Sequence, residues 1–292
     1  MSPVALYFAS GESLYPGAIL LIFTVTASLY LEQGWLARLR NTIAWLSLAM
    51  IVMACAPAPW WEYLLLLALY LVWYVAANRR SKTTVQFKLR ATLAAVLSLI
   101  LIMIVVVELY HRNMPRIAGR PTPCLAVLGD SISAGFASVG SSWPTFLEKN
   151  TGVVVKNLSQ PGAHVADGVS MATKLSVQDR LVVIELGGND LLQGSPTREF
   201  EQALDKLLSI VATPGRTVAM FELPLFPPKI GYGQVQRRLA NKYSVTLIPK
   251  RFFIEILGST KSTTDGLHLS IIGSERMAAL VARFFAPLLK PQ

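Results

Sequence analysis

The sequence predicts an α-helical transmembrane region followed by an α/β domain with a five-stranded parallel sheet. Two observations carry this. Four long apolar runs lie between Leu14 and Leu109. After Gly119, five short apolar runs alternate with helix-like stretches, the pattern of consecutive βαβ units with helices on both faces of a sheet. Bulk composition agrees with the first observation. Of 292 residues, 53% are hydrophobic and 15% charged, both displaced from soluble averages towards the membrane. The boundary is expected in the polar, proline-containing stretch His111 to Pro123. That gives a membrane region 1–110, a tether 111–123 and an α/β domain 124–292.

The apolar runs are expected at about 15–31, 42–56, 60–77 and 91–107. Each is close to the roughly 17–25 residues needed to cross hydrocarbon, the second being the shortest. Glu32 closes the first, Pro57 and Pro59 the second, and Glu108 the fourth; Glu62 lies near the start of the third. Trp45, Trp60, Trp61, Trp73 and Tyr110 include several run ends, as an aromatic belt requires. The first run lacks the basic flank of a signal peptide. Val52-Met53-Ala54-Cys55 faintly resembles a lipidation site, but lies far from the amino terminus.

The formal charge is +10. Nucleic-acid binding would cluster that charge on a folded domain among aromatics. Instead Arg38, Arg40, Arg79, Arg80, Lys82, Lys88 and Arg90 fall between apolar runs, in the manner of orientation signals. These basic loops are assigned to the cytoplasm. The amino terminus and the α/β domain then lie outside, in the periplasm of a Gram-negative cell. Arg112, Arg116 and Arg120 oppose this assignment without outweighing it. The two cysteines, Cys55 and Cys124, are expected to form no disulfide and lack metal-ligand spacing.

In the α/β domain the expected strands are Leu125–Leu128, Val153–Leu158, Leu181–Leu186, Val218–Leu223 and Val245–Ile248. The expected helices are about Trp143–Asn150, Val165–Leu175, Thr197–Ala212, Tyr232–Tyr243 and Ser270–Phe285. Parallel sheets place their sites beyond the carboxyl ends of the strands, so the segments that follow each strand carry the chemistry. They are Gly129-Asp130-Ser131, then Ser159 to His164, then Gly187-Gly188-Asn189-Asp190, then the apolar Pro224-Leu225-Phe226-Pro227-Pro228. Asp265-Gly266-Leu267-His268 precedes the last helix.

Ser131 falls at a strand-to-helix turn, where it either presents a nucleophilic hydroxyl or simply caps a helix. A nucleophilic serine needs a base, an orienting carboxylate and donors for an oxyanion. Of three histidines, His111 ends a membrane run and His164 reads as a surface or helix-capping residue. Only His268 has a carboxylate at tight spacing, Asp265 three residues earlier. Asn189 can donate to an oxyanion or belong to a Gly-Asn turn; Gly162 can offer a backbone N–H or belong to a Pro-Gly turn.

In order and spacing, Gly129-Asp130-Ser131, Gly162, Gly187-Gly188-Asn189-Asp190 and Asp265-Gly266-Leu267-His268 resemble the SGNH/GDSL hydrolase superfamily, over about Cys124 to Leu289. The stretches Leu128 to Gly135, Trp143-Pro144 and Glu185 to Asp190 are similar to its bacterial thioesterase I, lysophospholipase and arylesterase subgroup. The resemblance implies a three-layer α/β/α, flavodoxin-like fold and ester hydrolysis without cofactor or metal. It implies Ser131 as nucleophile, His268 as base and Asp265 as its orienter. Ser131 N–H, Gly162 N–H and the Asn189 side chain would form the oxyanion hole. One departure is visible: the family usually has Pro after the base, where this chain has Leu269-Ser270.

Asp130, Phe136, Val139, Leu225, Phe226 and Ile230 are candidate substrate contacts, because they follow the first and fourth strands. The thirteen-residue tether reaches at most roughly 45 Å, which favours acylated lipid or glycan substrates at the outer membrane surface. Two other readings use the same sequence. One is an O-acetyl esterase or acetyl transferase acting on envelope polysaccharide; the other is a non-catalytic membrane scaffold. The four runs serve either as a passive anchor or to bind lipid, a membrane partner or another copy.

Overall fold

A computed structural model describes residues 3–31, 34–79, 83–135 and 141–289. The chain divides into two compact units. One holds Met1–Leu6, Asn113–Pro224 and Gly231–Gln292; the other holds Tyr7–Arg112 and Leu225–Ile230.

The helical region contains α1 (Pro3–Ala9), α2 (Leu14–Ala27), α3 (Gly34–Met53), α4 (Trp60–Asn78) and α5 (Thr84–Arg112). The last three are long and apolar enough to cross a membrane; α1 and α2, bent by 76° at their break, make a fourth only if counted as one span. The first run therefore differs from expectation. At 14 residues α2 is about 21 Å long, short of the roughly 30 Å hydrocarbon core. Gly11 at φ 81° breaks the helix before it. The second run extends backwards to Gly34, so Arg38 and Arg40 lie within a helix rather than in a loop. Lys88 and Arg90 likewise lie inside α5. Arg40 is buried, and its guanidinium donates to Leu31 O at 2.6 Å and to Asn41 Oδ1.

Leu21, Val25, Ala44, Ile51, Leu66, Tyr70, Trp73 and Leu97 form the centre of this region. A Cβ on Gly17 would meet Met50 Cβ at 3.0 Å and Ser47 O at 3.1 Å, so glycine lets α2 and α3 approach closely. Trp73 is not a belt residue: it is buried and donates to Ser28 Oγ at 3.1 Å. Trp60, Trp61 and Tyr110 are exposed at helix ends, as a belt requires. Ile19, Phe23, Leu99, Met103 and Val106 point outwards without cover, an arrangement suited to lipid and costly in water. These helices suggest membrane association.

In the other unit, five strands form one sheet: β1 (Cys124–Gly129), β2 (Val154–Asn157), β3 (Leu181–Glu185), β4 (Thr217–Phe221) and β5 (Thr246–Ile248). All neighbours are parallel, in the order β2-β1-β3-β4-β5. β1 and β3 are central and buried along almost their whole length, which explains their unbroken apolar sequence. Their register sets Gly129 opposite Glu185, so both strands end at one level.

The helices here are α6 (Ser131–Ala134), α7 (Trp143–Thr151), α8 (Val165–Ala172), α9 (Gly188–Gln193), α10 (Thr197–Val211), α11 (Ile230–Lys242), α12 (Lys250–Gly258) and α13 (Ile271–Phe285). α7 packs on α13 and α13 on α12, whereas α8 packs on α10. The sheet thus lies between two helical layers. The helix expected at the Ser131 turn is present as α6, one turn long. α9 and α12 were not expected from the sequence. α9 is too short to show a period. In α12 the run Phe252-Phe253-Ile254 obscures one, although Ile256 and Leu257 complete its buried face.

The start of α13 has no spare room. A Cβ on Gly273 would lie 2.0 Å from Ser262 O and 2.9 Å from Ser262 C, both backbone atoms of the segment preceding His268. Gly273→Ala is expected to destabilise this unit by about 1–3 kcal/mol. A thermal scan of the detergent-solubilised protein should show its midpoint lowered by roughly 3–9 °C; an unchanged midpoint would refute the close approach.

Candidate active site

The site grows from the end of β1. Gly129 has no room for a side chain: a Cβ would lie 2.5 Å from Ser133 Cβ and 2.9 Å from Ser159 Oγ. Asp130 then turns the chain, and its Oδ1 accepts the Ile132 N–H at 2.9 Å, capping α6. Ser131 is the first residue of that helix and half-buried, so its own N–H falls among the unpaired donors of a helix start. Gly135, at φ 84°, ends the helix after one turn. The turn both caps a helix and presents a serine.

Asn189 leaves the end of the neighbouring strand β3. Gly187 adopts φ 107°. A Cβ on Gly188 would lie 3.3 Å from Asp130 Oδ2. The two glycines therefore do different work: one turns the backbone, the other lets it approach Asp130. Asn189 Nδ2 donates to Ala163 O at 3.0 Å and to Asp130 Oδ2 at 3.3 Å. The bond to Asp130 is the longer and the weaker of the two.

Gly162 lies in the loop after β2 at φ 75°, and a Cβ there would meet nothing within 4 Å. Backbone conformation, not lack of room, selects glycine here. His164 is the N-cap residue of α8, as its sequence position suggested. Its N–H donates to Asp167 Oδ2 at 2.8 Å and its Nδ1 lies 3.5 Å from Asp190 Oδ2.

Asp265 and His268 are joined. Asp265 Oδ2 lies 2.6 Å from His268 Nδ1, and Oδ1 accepts the Leu267 and His268 N–H groups at 2.9 and 2.8 Å. The His268 side chain, followed by its backbone N–H and that of Leu267, holds the Asp265 carboxyl well below the usual carboxylate range. With Nδ1–H directed at Asp265, Nε2 is the basic nitrogen. The loop is pinned at both ends. Thr264 N–H donates to His268 O at 2.9 Å and Ser270 N–H to Ser262 O at 2.9 Å. Ser270 Oγ caps Gly273 N–H at 3.1 Å, so Leu269-Ser270 starts α13 without proline. A protonated His268 would favour the ionised form of Asp130, which relates this loop to the Ser131 turn.

Other candidates sit differently. Asp130 is buried, with its oxygens occupied by protein donors, so it faces inwards rather than towards a substrate. Leu225 is fully buried and Phe226 half-buried. Both belong, with Ile230, to the compact unit that contains the apolar helices. Phe136 and Val139 lie outside the described residues. Among the described residues no group of three or more His, Cys, Asp or Glu is arranged to hold a metal ion.

Sequence reasoning missed Glu185, the last residue of β3. It is buried, accepts Ser133 Oγ–H at 2.8 Å, and Ser133 Oγ accepts Trp143 Nε1–H at 3.0 Å. Burial, then the neighbouring Asp130 carboxylate, pushes the Glu185 carboxyl well above the usual range. The available signal was a lone acid ending a strand of four apolar residues.

Comparison with known proteins decides the family. The GDSL-like Lipase/Acylhydrolase family profile matches residues 127–276, the span from β1 to the start of α13. The chain belongs to this family. The GDSL domain is 34% identical over 167 residues to an arylesterase of Vibrio mimicus, covering 52% of this chain and 82% of that protein. It is 31% identical over 179 residues to the thioesterase 1/protease 1/lysophospholipase L1 of Escherichia coli (strain K12), covering 56% of this chain and 84% of that protein. Among solved structures, TesA superposes with a TM-score of 0.51 at 28% identity, covering 57% of this chain and 99% of that chain. The protein is thus an esterase-type GDSL hydrolase, acting on ester bonds and carrying an amino-terminal helical region.

If Asp265 holds the imidazole in one tautomer, Asp265→Asn is expected to lower kcat by about 10²–10⁴ with little change in KM. Steady-state kinetics on a short ester check this; a kcat within about threefold of the parent would remove Asp265 from the mechanism.

Proposed function

We propose that the protein is a membrane-anchored serine ester hydrolase that cleaves acylated substrates at the outer face of the cytoplasmic membrane. The observation that carries this reading is the 2.6 Å Asp265–His268 pair, which leaves Nε2 as a base in a domain whose β1 ends in a serine-bearing turn.

In this reading His268 Nε2 takes the Ser131 hydroxyl proton as Oγ attacks the acyl carbonyl. Negative charge on the carbonyl oxygen is met by the Ser131 and Gly162 N–H groups and the Asn189 amide. The imidazolium then protonates the departing alcohol or thiol, leaving an acyl group on Ser131. Water, deprotonated by His268, attacks the acyl-enzyme. The acid leaves and the proton returns to Ser131.

Several features support the substrate class and location. The names of the Vibrio mimicus and Escherichia coli relatives include arylesterase, thioesterase and lysophospholipase. The outward apolar faces of α2 and α5 suit a lipid surroundings. Residues 1–110 would form the anchor, 111–123 the link and 124–292 the catalytic domain, with the short link keeping Ser131 near lipid. The excess of Lys and Arg between the apolar runs supports an outward catalytic domain.

The detergent-solubilised protein is expected to cleave p-nitrophenyl esters and to label with a fluorophosphonate probe. Ser131→Ala should lose both, with activity down at least about 10³-fold and the fold intact by circular dichroism. Failure of the parent protein to label would favour a scaffold role. A series of acyl lengths separates the substrates: preference for acetyl esters would redirect the reading to envelope deacetylation.

Orientation has its own test. A reporter that works only outside the cytoplasm, fused after Gln292, should be active. Activity of a cytoplasm-only reporter at that position would overturn the topology and the outer-face substrates.

A further inference from the structure

The helical unit holds a groove that no step above uses. It lies between α4 and α5, which pack on each other, and has a volume of about 370 Å³. Small-ligand sites span roughly 300–1,000 Å³. Leu71, Val72 and Val75 from α4 and Leu89 from α5 form its walls. All four are exposed, so the groove opens away from the core of Tyr70, Trp73 and Leu97. Arg79 and Gln86 stand at the end where the chain passes from α4 to α5, and no lining residue is an acid that could neutralise Arg79.

Helix length sets the depth of this groove in a bilayer. α4 has 19 residues and is about 28 Å long, close to the roughly 30 Å hydrocarbon core. Trp60 and Trp61 are exposed at its first turn, and Arg79 follows its last residue. A helix that holds these tryptophans at one interface holds Arg79 at the other, level with the headgroups. From Arg79 back to Leu71 the chain runs about 12 Å along the helix axis. The groove thus begins at a cation beside the headgroups and continues into hydrocarbon between apolar walls.

We propose that this groove binds one anionic phospholipid, with an acyl chain between α4 and α5 and its phosphate on the Arg79 guanidinium, beside the Gln86 amide. The inference rests on the membrane-spanning reading of these helices and on nothing at Ser131. Apolar walls alone select no lipid, because lipid tails are as apolar as leucine. Selection comes from the charged end. A guanidinium meets phosphate oxygens through two parallel N–H bonds. A basic residue between helices at the membrane surface favours a lipid with net negative charge over a zwitterionic one, by about fivefold for one residue.

The test uses the full-length protein in mild detergent and native mass spectrometry, with phosphatidylglycerol and phosphatidylcholine of equal tails. The parent should retain one phosphatidylglycerol per chain, about fivefold more tightly than phosphatidylcholine. Arg79→Gln should bring the two lipids to near equality. Val75→Trp, which fills the groove and leaves the charge, should weaken phosphatidylglycerol binding at least about fivefold. Lys88→Gln removes an exposed cation of α5 outside the groove and should leave the preference unchanged. Excess glycerol phosphate should not displace the lipid.

A parent without the preference overturns the inference. So does a loss in Lys88→Gln equal to that in Arg79→Gln, which would reduce the effect to general surface charge. Displacement by glycerol phosphate would make the site one for free anions and overturn it too. A folded Val75→Trp that binds lipid like the parent overturns it, and if that variant also separates a dimer, the groove meets a second copy. If Val75→Trp fails to fold, Arg79→Gln against Lys88→Gln decides alone. A parent that stays in water without detergent and leaves membranes behind sinks the membrane reading itself; a membrane-embedded parent indifferent to lipid charge sinks only this inference.

Discussion

The register that sets Gly129 opposite Glu185 is the constraint on which the rest of the catalytic unit depends. β1 and β3 are adjacent, parallel and buried on both faces, between the two helical layers. With the register fixed, Asp130 and Gly188 leave the sheet at the same height. A side chain on Gly188 would crowd Asp130, with its Cβ 3.3 Å from Oδ2. The serine turn and the Asn189 amide are thereby held to each other through one carboxylate.

The third part of the site is built by different means. Asp265 and His268 sit on no strand end. Their loop closes on itself through backbone bonds at Thr264 and Ser270, and Ser270 ties it to the start of α13. This explains how the chain departs from the family at Leu269-Ser270 without disturbing the Asp265–His268 pair. Proline fixes a backbone angle at a helix start. Here Ser270 offers a side-chain cap instead, and Gly273 makes room for Ser262.

Legibility in the sequence followed the range of the interaction. β1, β3 and β4 were readable because burial on both faces leaves continuous apolar runs. Ser131, Asn189, Asp265 and His268 were readable as types at suggestive spacings, and the Asp265–His268 bond needs only three residues of chain. The start of α6 was readable from its turn but not its length, and α9 was not readable, because one or two turns have no period. Glu185 was passed over because its partner Asp130 is brought near only by the sheet register, a contact across 55 positions of chain. In the helical region, hydropathy located the runs but not their ends. Arg38 and Arg40 were taken to interrupt a helix, whereas α3 continues through both and buries Arg40 against the Leu31 carbonyl. A long basic side chain can stay in a helix when its charged head finds a carbonyl or an interface.

Asp130, just beyond β1, and Glu185, at the end of β3, are both buried acids, and simple packing is a poor reason for them. Two leucines there would fill similar space at no desolvation cost, and buried polar groups often add no net stability. They would, however, leave the buried Ile132 N–H and Ser133 Oγ–H without the acceptors they have, and each unmet buried donor costs about 1–3 kcal/mol. The Asp130 carboxylate accepts from the Asn189 amide as well, so one side chain joins the turn after β1 to the turn after β3.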